Sequence, residues 1–85
     1  SQYLDKKYIN FAASHLDQFV WKHPTLGNCR CFLCGDSAKN KYKARGYFFP
    51  FKQIYMYKCQ NCQVALPFSA VLKRLSRHLY DEYIL

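Results

Sequence analysis

Cys31 and Cys34 stand two residues apart, and Cys59 and Cys62 repeat that spacing with twenty-four residues between the pairs. A Cys-x-x-Cys turn lets two thiolates face one ion, and two such turns joined by strand-like sequence supply the soft tetrahedral ligand set of Zn²⁺. Four thiolates leave no open coordination position, so one ion held this way is structural and not a Lewis acid. The blander reading is two local disulfides or buried free thiols. The odd count of five cysteines and the lack of a hydrophobic leader favour a reducing, cytoplasmic compartment and a metal instead. A thioredoxin-type redox pair is weaker still, since neither pair sits in a βαβ pattern. Cys29 offers an alternative first ligand; Cys31 is preferred because its spacing to Cys34 mirrors that of Cys59 to Cys62, which leaves Cys29 a free thiol. His15, His23 and His78 lie at no knuckle spacing to a cysteine and read as surface or cap residues.

The segment between the pairs carries a second chemistry. Residues 36 to 58 hold Lys39, Lys41, Lys43, Arg45, Lys52 and Lys58 against Asp36 alone, +5 of the chain's formal +8. Such an excess attracts a polyanion. Seven of the sixteen aromatic residues share this stretch: Tyr42, Tyr47, Phe48, Phe49, Phe51, Tyr55 and Tyr57. Cations interleaved with rings combine phosphate attraction with base stacking, the two terms that dominate single-stranded nucleic-acid binding. By alternation Tyr47, Phe49 and Phe51 share one strand face, and Tyr55 and Tyr57 share one on a partner strand. One row would hold bases and the other would pack inward, with either assignment open; a core against flanking helices is the competing reading of any one ring. The five acidic residues are dispersed, so no carboxylate cluster for phosphoryl transfer exists, and the domain alone reads as non-catalytic.

These residues need elements to position them. Apolar positions from Gln2 to Trp21 recur at helical spacing, as one long helix or two short ones with a break near Ala13 and Ser14. His23-Pro24 ends that segment and Thr25 to Asn28 reads as a loop. Cys31 to Asp36 is a knuckle in which Gly35 tolerates a tight backbone. Lys39, Lys41, Lys43 and Arg45 alternate with other residues, so an extended chain would put every positive side chain on one face. Tyr47 to Phe51 and Ile54 to Lys58 form a hairpin turning at Lys52 and Gln53, with Pro50 marking an edge strand. Pro67 opens a helix through Leu75, and Ser76 caps a further segment bearing Leu79, Tyr80, Tyr83 and Ile84. The expectation is a small α+β zinc ribbon, an antiparallel hairpin or sheet with two zinc knuckles, flanked by N- and C-terminal helices. Its parts would be residues 1–28, 29–66 and 67–85 of one compact domain. A chain this short needs a staple such as a metal. The longest apolar runs fall far short of a bilayer-spanning helix.

From about residue 29 to 85 the chain resembles the zinc-binding domain of DNA primases, most closely those of T-even-type bacteriophages. The resemblance rests on Cys31-Phe32-Leu33-Cys34-Gly35-Asp36-Ser37, Lys43-Ala44-Arg45-Gly46-Tyr47, Tyr57-Lys58-Cys59-Gln60-Asn61-Cys62 and Leu79-Tyr80-Asp81-Glu82-Tyr83-Ile84. Where the family usually has proline after the first cysteine this chain has Phe32, and where glycine often follows the last it has Gln63. The resemblance implies a template-recognition module that binds single-stranded DNA to start RNA primer synthesis in replication. Its implied partners are the template, the RNA primer or template-primer hybrid, a separate catalytic domain of the same primase and a replicative helicase. It implies the host-cell cytoplasm for a phage protein. The chain would be an N-terminal piece of a larger enzyme. The competing function is a protein-interaction zinc ribbon docking on a replication or transcription complex, with the charge incidental.

Overall fold

The computed structural model describes residues 1–85 and shows five antiparallel strands packed on one face by helices. Helix α1 spans Gln2–Ala12; the Ser1 hydroxyl accepts from the Leu4 amide at its start, and a single 3-10 turn, Ala13–His15, follows it. Strands β1 (Val20–His23), β2 (Leu26–Cys29), β3 (Gly46–Phe51), β4 (Ile54–Cys59) and β5 (Ala65–Pro67) form a meander in sequence order. Helices α2 (Phe68–Leu75) and α3 (Arg77–Tyr83) close the chain, with Ser76 capping α3 through the Leu79 amide. The fold is a small α+β zinc ribbon with its two cysteine turns at one end of the sheet.

Alternation divides the sheet into two faces. Phe48 opposes Tyr57, Pro50 opposes Tyr55 and Gly46 opposes Cys59, so these residues share the face that the helices cover. Phe48, Tyr55 and Tyr57 pack there with Tyr8, Ile9 and Ala12 of α1 and Phe68, Val71 and Leu72 of α2. The larger apolar side chains among them, Ile9, Phe48, Phe68, Val71 and Leu72, each contribute about 1.5–3 kcal/mol by leaving water. Asp5 fastens three elements at once: its carboxylate is 1% exposed, and it accepts from the Tyr55 amide at 2.8 Å and the Tyr83 hydroxyl at 2.5 Å. Burial first, then this bond to Asp5, pushes the Tyr83 phenol above its ordinary range.

Several sequence expectations are corrected here. The α-helix ends at Ala12, beside the break considered at Ala13 and Ser14, but no second helix follows: Leu16 is extended, Gln18 takes a left-handed backbone (φ 59°) that reverses the chain, and Val20 and Trp21 pair with Asn28 and Gly27 as a strand. Of Thr25 to Asn28, read as a loop, all but Thr25 belong to strand β2, which runs on to Cys29. Lys39 to Arg45 form no strand; the stretch is irregular and turning. Strand β3 is internal, yet β2 pairs it only through Phe48, so Pro50 lies past that pairing and no ladder bond is lost. Pro67 caps α2 from the end of β5 instead of opening the helix.

Asp5→Ala would strand the Tyr55 amide and the Tyr83 hydroxyl in the core. It is expected to lower unfolding free energy by about 3 kcal/mol, read by urea denaturation.

Candidate metal centre and open sheet face

The two knuckles repeat one construction. Gly35 N–H donates to the Cys31 carbonyl and Gln63 N–H to the Cys59 carbonyl, both at 2.9 Å. Both Gly35 (φ 70°) and Gln63 (φ 65°) take the left-handed backbone that a tight return demands. The amides of Asp36 and Asn61 each donate to a sulfur, Cys34 Sγ and Cys59 Sγ respectively, at 3.3 Å. All four Sγ atoms of Cys31, Cys34, Cys59 and Cys62 lie within 4.8 Å of one another; Cys34 to Cys59 is 3.7 Å and Cys31 to Cys62 is 4.0 Å. A tetrahedron with metal–sulfur bonds of about 2.3 Å has edges of about 3.8 Å, so the set fits Zn²⁺ in size and in donor type. Cys31 and Cys59 are buried while Cys34 and Cys62 are exposed.

The surroundings tune these sulfurs. The Asn61 side-chain amide donates to Cys34 Sγ at 3.5 Å and heads the influences that bring that thiol down to about 6. Burial pushes Cys59 up to about 12. Cys29 is fully buried and outside the cluster; burial, then the neighbouring Cys31, pushes it up to about 12, so it stays a neutral thiol. Asn61 also donates to the Asp36 carbonyl at 2.9 Å, tying one knuckle to the other. The Asp36 carboxylate, in turn, accepts from the Cys31 amide (2.7 Å), the Arg45 amide (3.1 Å) and the Arg45 guanidinium (3.1 Å). Burial pushes Asp36 up, but these donors outweigh it and hold the carboxyl below its ordinary 3.8.

The basic segment between Gly35 and Arg45 is fixed from below by Arg30. Its guanidinium donates to the carbonyls of Gly35 (2.6 Å), Ser37 (3.2 Å), Asn40 (3.1 Å) and Lys43 (2.8 Å), and faces Asp17 at 3.5 Å. Only an Arg fork reaches so many acceptors in one plane. Asn28, 4% exposed, donates to the carbonyls of Ala44 and Gly46 and anchors the segment's exit. With the backbone held in this way, Lys39, Lys41, Tyr42 and Lys43 all face solvent.

The sheet face away from the helices is open. Tyr47 opposes Lys58 and Phe49 opposes Met56, and with Leu26 and Gln60 the side chains of Tyr47, Phe49 and Lys58 line a groove of about 370 Å³. Phe51 lies further along the same face, half exposed, with the Lys52 ammonium 5.5 Å from its ring.

Among the residues expected to contact nucleic acid, Tyr47, Phe49 and Lys58 therefore meet at one groove, Lys39, Lys41 and Lys43 share the clamped segment, and Lys52 sits in the far hairpin turn. Arg45 is engaged by Asp36. Tyr55 (2% exposed) and Tyr57 (0%) are withdrawn from that set, because they face the helices and no base can reach them. Arg30, Asn28 and Asn61 were not anticipated. Their only sequence signal is position, a charged or amide side chain beside or within a cysteine turn, where loop carbonyls need donors.

Three outcomes follow from this geometry. Cys29→Ser is expected to retain one equivalent of zinc by atomic absorption, while Cys34→Ser loses it. Because the Asp36 carboxyl is depressed, its ionised form stabilises the fold fully above 3.8, and that contribution fades as pH falls through the folded value. Asp36→Asn is thus expected to cost about 2 kcal/mol near neutral pH and less in acid, measured by urea unfolding from about pH 3 to about pH 7. Gln63→Gly relieves a left-handed backbone and is expected to raise stability by about 0.5–1 kcal/mol in the same assay.

No protein-family model matches the sequence. The chain is similar to the DNA primase of Enterobacteria phage T4, 31% identical over an alignment of 85 positions that covers 96% of this chain and 25% of that protein. It thus spans about a quarter of the length of that relative. Similarity along nearly the whole chain, joined to four cysteine sulfurs at metal-binding distances, fits a primase-related zinc-binding domain.

Proposed function

We propose that this chain is the template-recognition module of a DNA primase, holding one structural Zn²⁺ through Cys31, Cys34, Cys59 and Cys62 and binding single-stranded DNA. The observation that carries the reading is the open groove in which two rings, Tyr47 and Phe49, meet one ammonium, Lys58, on a sheet edged by the clamped basic segment. Rings of this kind stack unpaired bases, and the lysines neutralise their phosphates. Zinc held by the four cysteines would contribute only rigidity, with the two knuckles and the neighbouring strand ends that carry Tyr47 and Lys58 held together. The chain's own residues do the recognition. Tyr47 and Phe49 supply stacking planes, the Gln60 amide faces the base edge, and Lys58 with Lys39, Lys41 and Lys43 meets the backbone.

On this reading residues 1–28, 29–66 and 67–85 act as one unit beside a catalytic domain elsewhere in a longer protein, with primer, template and a replicative helicase as partners. The host-cell cytoplasm would be its place of action. The coverage of a quarter of a phage primase supports this arrangement. No helix is long and apolar enough to cross a membrane. One feature favours a second reading, docking on a replication or transcription protein: Val20, Phe51, Ile54 and Met56 give the same open face an apolar stretch.

Fluorescence anisotropy with short labelled oligonucleotides separates the two. Template recognition requires single strands to bind better than duplex, with log affinity falling by about 0.7 per phosphate contact for each tenfold rise in salt. Tyr47→Ala and Phe49→Ala are each expected to weaken binding by about 1–3 kcal/mol with zinc content unchanged. Salt-insensitive capture by a partner protein, with no oligonucleotide binding, would establish the docking reading instead.

A further inference from the structure

Tyr42 is 75% exposed at the turn of the basic segment, far from the packed rings of the core. Exposed tyrosines on wandering loops are unremarkable, but the backbone around this one is held on several sides. The Asn40 and Lys43 carbonyls accept from Arg30, at 3.1 and 2.8 Å. The Lys41 carbonyl accepts from the Gln18 side chain at 2.6 Å, and the Tyr42 amide itself donates to Asn40 Oδ1 at 3.0 Å. Lys43 N–H closes the turn on the Asn40 carbonyl at 3.2 Å. Every polar bond here restrains main chain, and none restrains the ring. The result is a phenol presented outward on a rigid base.

Its neighbours define what it would meet. Lys39, Lys41 and Lys43 are all exposed around it, and the Lys41 ammonium stands 5.6 Å from the ring centroid. The two acids near the segment are each already paired with an arginine, Asp36 with Arg45 and Asp17 with Arg30, and neither is paired with any of the three lysines. An apolar protein surface would leave those ammonium groups without partners. An unpaired nucleotide satisfies both features at once, its base on the ring and its phosphates on the lysines.

We propose that Tyr42 is a second base-stacking site, separate from the Tyr47 and Phe49 groove, and that Arg30 is the residue that positions it. The inference rests on the single-stranded DNA reading above and extends it, giving the strand two aromatic footholds joined by a basic segment. Stiffness matters because a preformed platform avoids the ordering cost that a mobile loop would bear on binding.

The test uses the zinc-loaded chain and a labelled oligothymidylate in fluorescence anisotropy across a salt series. Tyr42→Ala should lose about fivefold to a hundredfold in affinity with the salt slope unchanged, since a stack carries no counterions. Tyr42→Phe should bind like the unaltered chain. Lys43→Ala, by contrast, should lower the slope. Arg30→Lys keeps the charge but not the fork; it should hold one equivalent of zinc, lose affinity, and show faster amide hydrogen exchange at residues 40–43. Unaltered affinity of Tyr42→Ala, beside normal salt-sensitive binding by the parent chain, would overturn the second site alone. Failure of the parent chain to bind any single strand would remove both it and the reading on which it rests. If Arg30→Lys loosens residues 40–43 without weakening binding, the positioning role is wrong.

Discussion

Three neighbouring strands reach the metal end of the sheet in one row, with Cys29 opposite Gly46 and Gly46 opposite Cys59. The remainder of the molecule depends on that row. Cys31 leaves β2 two residues beyond it and Cys59 lies within it, so bringing four sulfurs within 4.8 Å fixes the register of β2, β3 and β4 together. A shift of one residue would send every side chain to the opposite face. Gly46 is needed in the row for a steric reason: a Cβ there would collide with the Tyr57 hydroxyl and come within 3.0 Å of the Cys29 carbonyl. Tyr57 can lie flat beneath the knuckles only because that position is bare.

Register then decides which aromatic residues form the interior and which remain outside. Phe48, Tyr55 and Tyr57 fall on the side covered by α1 and α2, where Phe48 and Tyr57 pack with ring centroids 4.9 Å apart. Tyr47, Phe49 and Phe51 fall on the side that no helix covers. One small sheet thus uses the same residue types for cohesion on one face and for display on the other. Asp5 and Arg30 perform parallel tasks at opposite ends: Asp5 draws helices to the covered face, and Arg30 draws an irregular segment onto the knuckle.

Much of this was legible in the sequence, and what was not had physical causes. The paired cysteines, the hairpin from Tyr47 to Lys58 and the helix before Leu75 follow from spacing and alternation that tertiary contacts merely complete. The choice between the two aromatic rows was not readable, since both alternate equally well and only the helices distinguish them. Strand β1 was missed because the periodicity of Leu16, Phe19 and Val20 matches a helix, while the reversal at Gln18 depends on a left-handed residue of a type that rarely adopts it; β2 was missed because Gly27 and Asn28, after Pro24, are residue types that favour turns. Alternating lysines suggested a strand at 39–45, yet no neighbouring strand is available there, and Arg30 offers its carbonyls a different set of donors.

The unequal exposure of the four sulfurs gives the cluster a direction. Cys31 and Cys59 lie in the protein interior, whereas Cys34 and Cys62 form an outer wall in contact with water. The outer pair is therefore the side on which solvent, a chelator or an oxidant would meet the cluster, while the inner pair is shielded by the protein itself.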